Sequence, residues 1–347
     1  MSITEQRMRQ QVRERLAELL GTGDMVAQSK TAAHKGADFV VKADHLTFVI
    51  ECQVNGAPAR IAEAAATAQR RALQVGSKAI PLVAAPFMGP AGRVRCQQLG
   101  VGWLDLSGNA HIKAPGVHVH VDGKPNRFKA VGRPASVFAP KSSRIARQLL
   151  LDPAHAFAQR ELAQKAGIDE GLTSRIVHRM EHDGLVTRSD GKISVPKAAI
   201  LLDAWHEAYQ FDKHEIVRGH IASRTGDDLL GQIAAVLGKA GVEYAATGLA
   251  GAWLLTHFAA FRLATIFLPA GLTADLRERL SFREDERGAN TWFVIPNDAG
   301  VFAGKKKIDG VWCADPVQVY LDLKAQPERA TEAADRLRKD LLQFGEK

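Results

Sequence analysis

The stretch SSRIARQLLLDPAHAFAQRELAQKAGIDEGLTSRIVHRMEHDGLVTRSDGKISV, residues 142–195, constrains the fold more tightly than any other part of the chain. Short apolar-periodic runs are punctuated by Gly167 and Gly184, and the stretch ends around an Asp190-Gly191 pair. A glycine just past a periodic run is where a helix closes on a left-handed residue, and Asp-Gly between two strand-like runs is a tight hairpin turn. The spacing therefore predicts a first helix capped by Ser142 or Ser143 with Ile145 and Leu149 facing inward, and a second helix over 160–166. A third helix follows, capped by Asp169, with Leu172, Ile176 and Met180 inward at fourfold spacing, and then two short strands.

This order resembles the winged helix-turn-helix of bacterial transcription regulators, with Gly184-Leu185-Val186 leading into the wing and Asp190-Gly191 as its turn. The resemblance implies that the outward face of the third helix presents Thr173, Ser174, Arg175, His178 and Arg179 to a major groove. Arg188 and Lys192, beside the wing turn, would reach the neighbouring backbone or minor groove. Two other readings stay open. Such domains also serve as protein–protein modules, and Arg175 and Arg179 can pair with Glu181 or Asp183 instead of DNA.

At 347 residues the chain exceeds one typical core. The Pro-, Gly- and Ser-bearing stretch VGRPASVFAPKSS reads as a linker. The expected organisation is α/β multidomain: an α/β domain over 1–130, a linker over 131–142, the helix-turn-helix over 143–211 and an α/β domain over 212–347. Of the net charge of +8, residues 1–130 hold most, with 17 basic against 10 acidic side chains; residues 216–347 balance at 17 and 17. That excess would attract a polyanion such as nucleic acid, or is simply a solvated face. Cys52, Cys96 and Cys313 are scattered, which argues against a disulfide framework or a cysteine zinc site and fits a reducing cytoplasm. The charged start, MSITEQRMRQQVRERLAELL, lacks the apolar core of a secretory signal. YAATGLAGAWLLTHFAAF is better explained by a strand and a buried helix than by a membrane span.

In the first segment, strands are expected over 39–41, 47–54 and 79–85, with an alanine-rich helix between the last two. Asp38 and Glu51 fall on what look like two β-strands, with Glu51 and Gln53 on one face of the second, an arrangement that resembles the PD-(D/E)xK nucleases. The resemblance implies a restriction-endonuclease-like domain in which Asp38 and Glu51 hold Mg²⁺ and Gln53 stands in the catalytic lysine position. Ala37 replaces the usual Pro, and Gln53 cannot accept a proton from water, so the scaffold reads as nuclease-like with its chemistry lost. A Mg²⁺-dependent endonuclease steered by the helix-turn-helix is the alternative.

VEYAATGLAGAWLLTHFAAFRLATIFLP and DPVQVYLDL with its trailing charged helix are similar to the C-terminal part of the AbiEi family, antitoxin-regulators of type IV toxin–antitoxin and phage-defence systems. The resemblance covers residues 143–347 and implies a repressor of its own operon that binds inverted-repeat double-stranded DNA without a cofactor. It also implies a cognate nucleotidyltransferase-like toxin and, from operator symmetry, a homodimer. TGLAGAWLL further resembles the opening turn and helix of nucleotidyltransferases, but the following strand, LATIF, carries no acid, so this nucleotidyltransferase-like domain is expected to be non-catalytic. Asp315, Asp322 and Glu328 read as a helix cap and solvated charges. His118 and His120 share a strand face without an evident third ligand.

Overall fold

In the computed structural model the described residues are 5–21, 26–28, 39–43, 45–128, 136–258 and 260–344. Spatial contacts divide the chain into two units: residues 1–135 with 179–186, and residues 136–178 with 187–347.

The first unit is built on a seven-stranded sheet in sequential strand order. Phe39–Ala43 and Leu46–Cys52 form an antiparallel pair; Leu46–Cys52, Ala79–Ala85 and Gly102–Asp105 run parallel; Ala110–Ala114 and Val117–Val121 close the sheet antiparallel. The parallel steps require crossovers, supplied by helices Pro58–Val75 and Pro90–Gln98. Period-2 alternation then sorts the side chains. Phe48, Ile50, Leu82 and Leu104 face Met8, Val12 and Leu16 of helix Glu5–Leu20, whose fourfold spacing makes one apolar stripe. Val83, Ala85 and Trp103 face Ile61, Ala64, Ala65 and Ala68, where alanines let helix Pro58–Val75 lie close to the sheet. The expected strand over 47–54 ends at Cys52, and Val54 lies outside it, 53% exposed.

The second unit begins with helix Ser143–Leu151, strand Phe157–Ala158, helix Gln159–Ala166 and helix Glu170–His182, whose last turn is grouped with the first unit. Strands Thr187–Ser189 and Lys192–Ser194 form a hairpin that the Phe157–Ala158 strand extends to three strands. Gly167 closes its helix at φ +63°, and the Asp169 carboxylate accepts from Leu172 N–H at 2.7 Å, as local chemistry dictates. Neither Ser142 nor Ser143 caps the first helix: Ser142 makes no cap bond, and Ser143 Oγ donates to the Pro140 carbonyl. Asp190 (φ +51°) and Gly191 (φ +74°) both lie in the left-handed region, the geometry of a two-residue hairpin turn.

After helix Ala198–Ala208 a second seven-stranded mixed sheet follows, in which Ala264–Phe267 lies between Thr291–Ile295 (parallel) and Ala245–Thr247 (antiparallel). Strand Ala245–Thr247 turns through Gly248, at φ +57°, into the nine-residue helix Gly248–Thr256. No helix among the described residues is long and apolar enough to cross a membrane. Helices Pro316–Leu323 and Ala330–Leu341 complete the unit. The whole is an α/β protein with mixed sheets.

Candidate functional site

Helix Glu170–His182 shows which of its polar residues can meet a ligand. Arg175 and His178 are exposed and Ser174 is half-buried. Thr173 corrects the expected outward face: it is fully buried, and its hydroxyl donates to the Asp169 carbonyl at 2.9 Å. The inward seam is Thr173, Ile176, Val177 and Met180, one residue on from the predicted start at Leu172. The fourfold count drifted because a helix turns once every 3.6 residues, so the buried stripe needs steps of three as well as four. Arg179 is partly committed, its Nε lying 3.3 Å from the Asp183 carboxylate, which also accepts from Asn55 at 3.0 Å. Arg60 donates to the carbonyls of Glu181 and His182, placing a cation on the negative end of the helix dipole. Across the hairpin turn, Arg188 and Lys192 are both exposed. Ser174, Arg175, His178, Arg188 and Lys192 thus offer hydroxyl, imidazole, guanidinium and ammonium donors to solvent.

The acidic site of the first unit is placed differently. Asp38 lies outside the described residues. Glu51 is only 6% exposed, on the sheet face covered by helix Pro58–Val75, and its carboxylate is bound by the Arg71 guanidinium from that helix. Gln53 is half-buried just beyond the strand, its N–H donating to the Ala84 carbonyl at 2.8 Å. A divalent cation at Glu51 would have to displace or accompany that guanidinium. Among the described residues no group of three or more His, Cys, Asp or Glu side chains is arranged to hold a metal ion. Asp105, the other buried acid of this sheet, accepts from the N–H groups of Gly108, Asn109 and Met88 and from the Asn109 amide, and so serves as a turn anchor.

His118 and His120 gain a neighbour that sequence reasoning missed. Strand pairing sets His111 opposite His120, with the two Nδ1 atoms 3.1 Å apart. Burial first, then the charges of His120, Lys113 and His118, lower the His111 pKa below its ordinary 6.5. The signal was an alternating strand, but its partner strand, Ala110–Ala114, was not recognised.

The largest departure from expectation lies in the second unit. Asp322, read as solvated, is fully buried. It accepts from Thr247 Oγ1 at 2.5 Å, Tyr209 Oη at 2.5 Å and Gln318 Nε2 at 2.7 Å, while burial pushes its pKa up to about 7. Gln318 Oε1 in turn accepts from Arg147 at 2.6 Å. His214 Nδ1 accepts from Asn297 N–H at 3.1 Å, so its proton sits on Nε2 and points at Tyr209 Oη, 2.9 Å away. Burial lowers His214 to about 4, in keeping with that neutral tautomer. Asp315 does cap its helix, accepting from Val317 N–H at 2.9 Å, although it is largely buried; Glu328 is exposed at φ +61°.

No family model, no curated protein and no solved structure matches this chain.

Proposed function

We propose that this protein is a DNA-binding transcriptional regulator of the AbiEi antitoxin type. In this reading helix Ser143–Leu151 through strand Lys192–Ser194 is a winged helix-turn-helix that docks helix Glu170–His182 in a major groove. One observation carries the reading: Arg175 and His178 are exposed on that helix, and Arg188 and Lys192 are exposed on a hairpin closed by two left-handed residues. Ser174 and Arg175 would read base edges, His178 and Arg179 would touch bases or phosphates, and the two wing cations would bind backbone. Thr173 positions the helix instead, through its bond to Asp169.

The rest of the proposal rests on resemblance. The first unit would be a restriction-endonuclease-like scaffold that has kept its shape and offers a basic surface. The region from 212 on would be a non-catalytic, nucleotidyltransferase-like AbiEi domain, and the cognate toxin a nucleotidyltransferase-like partner. The operator would be an inverted repeat bound by a homodimer.

The test is a mobility-shift and cleavage assay on DNA from upstream of the gene, run with EDTA and separately with Mg²⁺ or Mn²⁺. A sequence-specific shift with intact DNA under every condition is expected. Arg175→Ala with His178→Ala should weaken that shift by about 1 to 3 kcal/mol per lost base contact. Undiminished specific binding by the double variant would sink the groove assignment. Metal-dependent cutting that disappears in Glu51→Ala would turn the protein into an endonuclease and require Glu51 to exchange Arg71 for a metal ion.

A further inference from the structure

Arg147 is a guanidinium with too few partners. It sits on helix Ser143–Leu151, 3% exposed, stacked on the Trp205 ring with its carbon 5.0 Å from the ring centroid. One hydrogen bond engages it, from Nη2 to Gln318 Oε1; Nε and Nη1 are buried without any partner. The neighbouring acids do not complete it. Asp322 is reached only through Gln318, Asp315 caps its own helix, and Asp298 is bound by the side chain of Arg144 at 2.7 and 2.9 Å. A buried charge left this way is costly, and a guanidinium offers its N–H groups in a planar fork matched to an oxyanion.

Arg147 also lines a cavity of about 190 Å³. One side of that cavity is apolar, with Phe138 and Trp205 stacked at 6.2 Å between ring centroids, and Val301. Lys213, an exposed cation, also lines it, together with His214 and Tyr209. With Asp298 neutralised by Arg144, the uncompensated charge of the lining is positive. The space equals about six water volumes at roughly 30 Å³ each, enough for a small organic acid or phosphate monoester.

We propose that this cavity is a binding site for a small anionic ligand with an apolar body, whose carboxylate or phosphate supplies a counter-charge to Arg147 and Lys213 while its body lies along Phe138 and Trp205. Because Nε and Nη1 are buried away from the cavity space, a turn of the guanidinium toward the ligand would be needed to exchange those unbonded donors for charge-assisted hydrogen bonds. The site is independent of whether the chain binds DNA. Because helix Ser143–Leu151 opens the proposed DNA-binding region and Gln318 lies beyond it in the chain, an occupied site would tie those two parts together.

The test is calorimetric titration of the full-length protein at constant ionic strength with phenyl phosphate, with benzoate and with neutral benzyl alcohol. Saturable binding of at least one anion and none of the alcohol is expected, and which anion binds tells phosphate from carboxylate recognition. Arg147→Met should abolish that binding, and Arg147→Lys, which keeps the charge but loses the fork, should weaken it about tenfold or more. Binding should also change tryptophan emission in the wild type, a response that Trp205→Phe removes, so the site can be read even where a change at Arg147 harms folding. No binding of either anion at about 10 mM, a concentration that half-fills a site worth only about −2.7 kcal/mol, overturns the proposal. So does binding that Arg147→Met leaves intact, or an emission change that survives Trp205→Phe.

Discussion

Asp322 receives hydrogen bonds from Thr247, Tyr209 and Gln318, yet burial still raises its pKa from 3.8 to about 7. Desolvation of the charge outweighs three donors because every donor is neutral, while the Arg147 cation acts only at a distance. The linkage has a definite sign. A raised carboxylate adds stability that is fully present below about pH 4 and is lost as pH rises through about 7. His206 and His214, both lowered by burial from 6.5 to about 4, act oppositely: their contribution is present above 6.5 and lost as pH falls through about 4. Between those limits the groups partly cancel. Asp322→Asn should therefore make the loss of stability on acidification from pH 6.5 to 4 steeper than in the wild type, by up to one proton. Urea unfolding at a series of pH values checks it; an unchanged slope would mean that Asp322 is ionised throughout. At this scale legibility followed distance along the chain. Asp169 and Asp315 were readable as caps because their acceptors and donors lie within three residues. Asp322 was not, because two of its three donors lie 75 and 113 residues away.

Some elements with their own local chemistry behaved as the sequence implied, although the expected Ser142 or Ser143 cap did not form. Gly167 ends a helix, and Asp190-Gly191 turns a hairpin, because few residues other than Gly, Asn and Asp tolerate a left-handed backbone. Strand Phe157–Ala158 was missed, being two residues long and held only by pairing with Lys192–Ser194. Strand Ala110–Ala114, five residues long with only Ala110 and Ile112 buried, was missed as well, and with it the place of His111. The turn allows an element-scale test. Gly191→Val forces a β-branched residue to φ +74° and should cost about 1 to 2 kcal/mol in thermal or urea unfolding. Asp190→Gly should be tolerated. If the hairpin is also the wing of the proposed regulator, Gly191→Val should weaken DNA binding more than Gly116→Val, which strains a turn at φ +76° in the other unit. Equal effects of the two substitutions on DNA binding would separate the hairpin from recognition.

At the scale of the whole chain, spatial contacts divide the residues after Ala135 and set 179–186 with the first unit. The expected boundary near 211 has no counterpart there: residues on either side of it share the second unit, joined by Arg144 to Asp298 and Arg147 to Gln318, pairs 154 and 171 residues apart that no local pattern announces. Charge was legible by segment, and its function turns on where it is exposed. In the first unit Lys113, Lys124 and Arg127 are exposed basic side chains within the segment that holds most of the +8. If that excess touches the DNA backbone, each phosphate contact contributes about −0.9 to the slope of log affinity against log salt. Replacing all three with Gln should then flatten the slope by up to about three such contacts while leaving the preference for the operator over scrambled DNA unchanged. Arg175→Ala should do the reverse, lowering the preference with little change in slope beyond about one contact. Affinities measured from about 50 to 200 mM salt on both DNAs decide the matter. An unaltered slope in the triple Gln variant would make the basic excess a solvated face and leave recognition to the helix and hairpin alone.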